Sequence, residues 1–173
     1  LNKSNMPKLK IIKAHGNYND FIILLKQNIP NNILLNQNLI QKICKQENSV
    51  DGFVLLDCEN FLVDYYNNDG SWETLCVNSL RCIGLVLQDI YKKNNFIVNC
   101  GDGPHTISID NNIITISMPT PTYKSEKMII ENVTGYYIDS GAKHFVININ
   151  EFPNNLILEK LGKKIRYNKK LFP

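Results

Sequence analysis

The stretch that decides the fold lies at residues 76–93 and reads CVNSLRCIGLVLQDIYKK. Its apolar residues recur at spacings of three and four, a period typical of a helix with one apolar face. These residues are Leu80, Ile83, Leu87 and Ile90. The pattern predicts a long helix over this stretch whose apolar stripe packs into the core.

Short segments of strand character surround this helix in the sequence. Before it they lie at residues 9–14, 20–25, 52–58 and 61–67, and after it at 95–100, 104–109 and 113–118. Turn-forming residues separate several of these segments, and a shorter helix is predicted at 36–46 by its apolar spacing. The fold class is therefore predicted to be α+β, a curled antiparallel sheet wrapped around a central helix.

A Pro-Thr-Pro segment at 119–121 divides the chain. Beyond it the sequence predicts strands near 127–132, 134–139 and 144–149, and a short helix from 154 to Gly162. We therefore predict two domains, a first lobe over 8–118 and the beginning of a second lobe over 119–173. Because three strands and one short helix form only a small core, we expect the second lobe to be incomplete within these residues.

The composition excludes several classes of protein. The 173 residues are 43% hydrophobic and 20% charged, which is ordinary for a globular domain. The net charge is +3, too small a bias to indicate a nucleic-acid partner. No apolar run approaches the roughly 18 residues that span a bilayer. We therefore expect no membrane partner and a cytoplasmic location.

Five cysteines occur, at positions 44, 58, 76, 82 and 100. An odd number in a chain expected to be cytoplasmic argues against a disulfide framework. No pair has the Cys-x-x-Cys spacing and we identify no His that completes a zinc set, so we expect no metal site. Most of these thiols, Cys82 among them, are expected to be small buried side chains.

Cys76 differs from the others because a polar loop leads to it and the predicted helix follows it. A helix N-terminus offers backbone amides without partners and a dipole that stabilises negative charge. A thiol there has an increased thiolate fraction, and the same amides can hold a carboxylate. This combination suits removal of a proton from the carbon next to a carboxylate, with the N–H groups accepting the developing charge. A buried structural thiol is the alternative.

Three segments carry a family resemblance. Residues 13–21 read KAHGNYNDF, residues 67–82 begin NNDGS and end CVNSLRC, and residues 140–146 read SGAKHFV. In this order they resemble the motifs KMHGLGNDF, NADGS…CGNGxRC and GNPHxV of diaminopimelate epimerase, a cofactor-independent enzyme of lysine and peptidoglycan-precursor synthesis. The Asp51-Gly52 pair before a hydrophobic strand also fits, and the likeness extends over nearly the whole chain from about Lys8.

This resemblance implies two lobes with the substrate between them, and one catalytic cysteine from each lobe. One cysteine removes the α-proton and the other returns a proton from the opposite face. By position, Cys76 is the first of these cysteines, and Asn19, Asn67, Val77 and Asn78 lie where the family contacts its small amino-acid substrate. The family needs no cofactor, neither pyridoxal phosphate nor metal nor nucleotide. The implied reaction converts LL-diaminopimelate to the meso form.

The sequence also departs from the family pattern. Val77 and Ser79 replace two glycines of the second motif, and Ala142 and Lys143 replace the Asn and Pro of the third. The family's second cysteine has no counterpart, since no cysteine follows Cys100. We therefore expect a truncated part of a longer enzyme, a complementary second-lobe chain or homodimer partner, or loss of the activity. The alternative functions are an amino-acid racemase of another specificity and a non-catalytic binding or subunit lobe.

The polar residues near Cys76 also have structural interpretations. Asn67 and Asn78 are of a type that caps helices or fills turns. Arg81 is expected to pair with a carboxylate, that of Asp20 or Asp69, and so to stiffen the loop.

Overall fold

The structure is a computed structural model that describes residues 9–47, 49–151 and 153–171. The chain forms two compact units, and the first of them ends at Ser117. Each unit has its own sheet and its own buried cluster. Within the described ranges no helix is both long and apolar enough to cross a membrane.

The first unit is built from strands and two α-helices in the order ββαβββαβββ. They are β1 (Ile11–Gly16), β2 (Asn19–Leu25), α1 (Gln37–Gln46), β3 (Gly52–Asp57), β4 (Leu62–Asn67), β5 (Trp72–Glu73), α2 (Val77–Tyr91), β6 (Asn95–Cys100), β7 (Gly103–Asp110) and β8 (Ile113–Ile116). One sheet contains all eight strands in the order β1-β2-β3-β4-β6-β7-β8, with β5 paired to β4. The predicted α+β class is confirmed.

The sheet is mixed, whereas the sequence predicted an antiparallel one. β2 pairs with β3 and β4 pairs with β6 in parallel, and the remaining pairs are antiparallel. A parallel pair needs a crossover connection, usually helical. Here α1 lies between β2 and β3 in the chain, and α2 lies between β4 and β6. Each helix therefore returns the chain to start a strand in the same direction.

The two helices pack against residues that alternate along β2. Phe21 and Ile23 belong to the core cluster that contains α2, while Ile22 and Leu24 belong to the cluster that contains α1. Successive side chains of a strand point to opposite faces, so a run of apolar residues indicates a strand buried on both sides. All four are at most 1% exposed.

The apolar stripe of α2 is one residue shorter than predicted. Leu80, Ile83 and Leu87 are fully buried, but Ile90 is 42% exposed. In this last turn the neighbouring Tyr91 makes the inward contact instead. Its ring packs on Phe61 and Phe96, and its hydroxyl donates to the carbonyl of Cys58 at 2.8 Å.

The second unit contains a small antiparallel sheet and one helix. Its elements are β9 (Thr122–Tyr123), β10 (Met128–Ile130), β11 (Val133–Asp139), β12 (Lys143–Ile147) and α3 (Asn155–Arg166). The helix was predicted to end at Gly162, which is wrong. It continues for four more residues because Ile165 joins Ile130 and Leu171 in the buried cluster of this unit.

Candidate functional site

The turn between β1 and β2 positions the first group of polar residues. Asn17 and Tyr18 both have positive φ, at 52° and 65°, while Gly16 and Asn19 pair across the hairpin. Two central residues of this kind form the tight turn that suits the twist of a hairpin. The turn leaves Tyr18 95% exposed and directs Asn19 toward the rest of the unit.

A hydrogen-bonded network joins this hairpin to the start of α2. The Asn78 amide donates to Asn19 Oδ1 at 2.6 Å, and the Asn19 amide donates to Asp51 Oδ2 at 3.3 Å. The Asp51 carboxylate also accepts from the backbone N–H of Asp20 at 2.9 Å. The structure therefore brings together two residues, 59 positions apart, that were each predicted to contact substrate.

Arg81 joins the same network. Its guanidinium Nη1 donates to Asn78 Oδ1 at 3.1 Å, rather than to the carboxylate of Asp20 or Asp69 that the sequence favoured. The reason is geometric, since residues three apart on a helix lie on one face. Both polar atoms of the Asn78 side chain are therefore hydrogen-bonded. Its oxygen accepts from Arg81 and its nitrogen donates to Asn19.

Cys76 is the residue that precedes α2. Its carbonyl accepts from the N–H of Leu80 at 3.1 Å and from the hydroxyl of Ser79 at 2.8 Å, while its side chain makes no capping hydrogen bond. The thiol is half-buried against the main core cluster. The first amides of α2 have no carbonyl partner within the helix, so a thiol and N–H donors for an anion occur at one place.

Tyr65 is a neighbour of Cys76 that the sequence analysis missed. Its ring makes an edge contact with Phe21, with the centroids 6.2 Å apart. A Cβ added at Gly52 would lie 2.7 Å from the Tyr65 hydroxyl, so the glycine makes room for the phenol. Burial raises the pKa of Tyr65, and the charge of Cys76 and a hydrogen bond with that thiol raise this pKa further. The alternation of Val63 and Tyr65 in β4 is the signal that places this ring on the face of α2.

Asn67 makes two hydrogen bonds that close the turn between β4 and β5. Its side-chain amide donates to the Ser71 hydroxyl at 3.0 Å, and its backbone N–H donates to the Ser71 carbonyl at 2.8 Å. Gly70, at φ 82°, approaches the carbonyl of Gln37 at the start of α1. These hydrogen bonds of Asn67 therefore belong to the turn and not to the Asn19–Asn78 network.

Three other cysteines of the first unit lie in environments that make their thiols less reactive. Cys82 is 4% exposed, as expected, and burial, followed by the charge of Cys76, raises its pKa to about 11. Burial also raises the pKa of Cys44 and Cys58. A thiol with a raised pKa carries little thiolate near neutral pH.

The third motif lies in the second unit. Residues 140–142 form the turn between β11 and β12, with Gly141 at φ 93° and its N–H donating to Asp139 Oδ1 at 3.1 Å. Ala142 and Lys143 occupy the end of this turn and the first position of β12. His144 follows on β12 and is exposed.

The chain is similar in sequence to several diaminopimelate epimerases. It is 33% identical to the enzyme of that name from Flavobacterium psychrophilum over 92% of this chain and 62% of the relative. It is 29% identical to the one from Hydrogenobaculum sp. over 94% of this chain and 66% of the relative. These matches make the chain similar to the diaminopimelate epimerases. No family model matches it.

The chain spans 62% of the length of the first of these relatives and 66% of the second. Among solved structures, it is similar to a putative phenazine biosynthesis PhzC/PhzF protein from Clostridium difficile. The TM-score is 0.46 and the identity 16%, over 83% of this chain and 59% of that chain.

Proposed function

We propose that the protein is a cofactor-independent amino-acid epimerase acting on the α-carbon of diaminopimelate, with Cys76 as one of its two acid–base groups. The observation that carries this proposal is the half-buried Cys76 thiol at the N-terminus of α2, next to amides that lack helical partners. The names of the relatives support the reaction class.

The proposed proton transfer is balanced between the thiol and the substrate. The Cys76 thiolate takes the α-proton, so the C–H bond breaks, an S–H bond forms and the electron pair moves into the carboxylate. The first amides of α2, those of Val77 and Asn78 included, donate to the carboxylate oxygens as this charge develops. A second acid on the opposite face then returns a proton, which inverts the centre.

Asn19, Asn67 and Asn78 are proposed to orient the substrate. Asn78 is held between Arg81 and Asn19, so its side chain loses little conformational freedom when a ligand binds. Such preorganisation is what a site needs to distinguish one amino acid from another.

The second acid is the unassigned part of the reaction. No cysteine follows Cys100 in the 173 residues. We propose that the second thiol comes from a further part of the protein, a complementary second-lobe chain or a second copy. A chain with one base on one face exchanges the α-proton with solvent and returns it to the same face.

The test is α-proton exchange of LL-diaminopimelate in D₂O, followed by NMR. Cys76→Ser should lower the exchange rate at least about a hundredfold, since a positioned base contributes about 10²–10⁴-fold. Cys44→Ser, which changes a buried thiol on α1, is the matched control and should keep the exchange. Normal exchange in Cys76→Ser would contradict the proposal.

A non-catalytic binding lobe is the second candidate, and Val77 favours it. A β-branched side chain next to Cys76 narrows the approach to the amide where the family has glycine. This candidate predicts calorimetric binding of LL-diaminopimelate without any exchange. Exchange with other amino acids, but not with diaminopimelate, would indicate a racemase of another specificity.

A further inference from the structure

A cluster of metal-ligand atoms lies at the turn between β6 and β7. Cys100 is the last residue of β6, Asp102 lies in the turn and His105 is the third residue of β7. The Cys100 sulfur, a carboxylate oxygen of Asp102 and a ring nitrogen of His105 all lie within 4.8 Å of one another. The sequence predicted no metal site because the spacing of Cys100 and His105 is not one of the common zinc-ligand spacings.

The His105 ring is fixed in the orientation that metal-binding histidines adopt. The side chain is 2% exposed, and its Nδ1 lies 2.8 Å from the carbonyl of Ser117. A carbonyl only accepts, so Nδ1 carries the hydrogen. Metal-ligating histidines commonly donate their other N–H to a backbone carbonyl in this way. The second nitrogen, Nε2, then faces Asp102 Oδ1 at 3.0 Å.

Asp102 has an unsatisfied oxygen at the same place. Its side chain is 10% exposed, and Oδ2 is buried without a hydrogen-bond partner among the described residues. Leaving a buried carboxylate oxygen unpaired costs free energy. A proton on His105 Nε2 would give a partner to Asp102 Oδ1 alone. A cation held between the three side chains would be a partner for both the Asp102 carboxylate and the Cys100 sulfur.

The charges balance for a divalent ion. A thiolate and a carboxylate contribute two negative charges and a neutral imidazole contributes none, so an M²⁺ ion makes the buried set neutral. On binding, the Cys100 thiol proton leaves to solvent while the sulfur bonds the metal. A thiolate sulfur, an imidazole nitrogen and a carboxylate oxygen are all donors that zinc accepts, and a water would complete the tetrahedron.

We propose that Cys100, Asp102 and His105 bind a divalent zinc-like ion that stabilises the turn between β6 and β7. The turn supports the segment before Cys76, because the Gly101 N–H donates to the Thr74 carbonyl at 2.9 Å. A Cβ at Gly101 would lie 2.6 Å from the Trp72 ring. We therefore assign the ion a structural role at this turn and no part in the proton transfer proposed above.

The test is titration of the chelator-treated protein with Co²⁺ alone, followed by absorbance, and then competition with Zn²⁺. The expected result is one equivalent of bound cobalt with a thiolate-to-cobalt charge-transfer band, its displacement by zinc, and a higher melting temperature with zinc. Cys100→Ser should abolish the band. Asp102→Asn should weaken binding at least about tenfold.

Cys76→Ser is the control, because Cys76 is a partly exposed thiol outside the cluster and a place for adventitious cobalt binding. This variant should keep the band. Absence of stoichiometric binding by the wild-type protein, or a band lost in Cys76→Ser and kept in Cys100→Ser, would overturn the proposal. If circular dichroism shows that Cys100→Ser is unfolded, the Asp102→Asn titration decides, and unchanged affinity there overturns the proposal.

Discussion

The two cysteines at the start of α2 lie in different environments although they are only six positions apart. Cys76 precedes the helix and is half-buried, whereas Cys82 is 4% exposed and has a pKa raised to about 11, first by burial. The Cys82 sulfur lies 3.6 Å from the Asn78 carbonyl. Cys76 is instead next to the Tyr65 phenol, a group that can donate to a thiolate. These neighbours support the proposal that Cys76, and not Cys82, is an acid–base group.

Tyr65→Phe should slow alkylation of Cys76 by iodoacetamide about threefold. A donor contributing about 1.4 kcal/mol to a thiolate changes its population about tenfold. The thiolate that remains is less stabilised and therefore more nucleophilic. This gain offsets about half of the tenfold loss on a logarithmic scale, which leaves a rate about threefold lower. The measurement is peptide mass spectrometry of alkylated protein over time.

Tyr66→Phe is the matched control for this substitution. Tyr66 is the next residue in β4, and its ring packs against Phe53 in the cluster on the α1 side. Tyr66→Phe should leave the rate of Cys76 alkylation unchanged. Equal rates in wild type and Tyr65→Phe would show that the phenol does not act on the thiol.

Among the secondary-structure elements, the end of β1 and the first turn of α2 are in close contact. A Cβ added at Gly16 would overlap the backbone carbonyl of Asn78 and lie 3.4 Å from the Cys82 sulfur. Neither a carbonyl in a helix nor a buried sulfur moves away easily. The glycine therefore lets the hairpin and helix approach closely enough for the hydrogen bond between Asn19 and Asn78.

Gly16→Ala should lower the free energy of unfolding by about 1–3 kcal/mol, the usual cost of overpacking. Gly162→Ala is the contrasting variant, because no atom lies within 4 Å of a Cβ added there in the interior of α3. It should raise helix stability by about 0.5–1 kcal/mol. Urea unfolding followed by circular dichroism measures both, and an unfolding midpoint for Gly16→Ala equal to that of wild type would disprove the close contact.

Across the whole molecule, the two units differ in how much apolar surface they bury. The first unit has two clusters of buried hydrophobic residues, on the two faces of its sheet. The buried members of the cluster in the second unit are Ile130, Ile165 and Leu171. Hydrophobic stabilisation grows with the buried apolar area, so the second unit should be the less stable. The assignment of domains to 8–118 and 119–173 stays a prediction.

Hydrogen exchange should separate the two units. The amides of β2 and β3, which lie between two buried clusters, should exchange slowest, and those of β10–β12 at least about tenfold faster, since a small core opens more often. The measurement is exchange followed by mass spectrometry of peptides from the intact protein. Equal protection in both sheets would mean that the chain opens as one cooperative unit.

Much of the local structure could be predicted because its signals are local. The apolar period identified α2, and the Asn36 side chain caps α1 by accepting from the N–H of Leu39 at 3.0 Å. The two-residue strands β5 and β9 were missed, since two residues show no alternation. The continuation of α3 past Gly162 was missed because a glycine ends a helix only where tertiary packing does not extend it.

The sequence by itself determined which segments become helices and strands, which faces are apolar, and that Cys76 starts a helix, because each depends on neighbours within a few positions. Only the tertiary structure decided the parallel pairing of β2 with β3, the hydrogen bond between the Asn19 and Asn78 side chains, and the position of Tyr65 beside Cys76. A residue pattern shows which face a side chain occupies, but its partner on that face depends on how distant segments pack together.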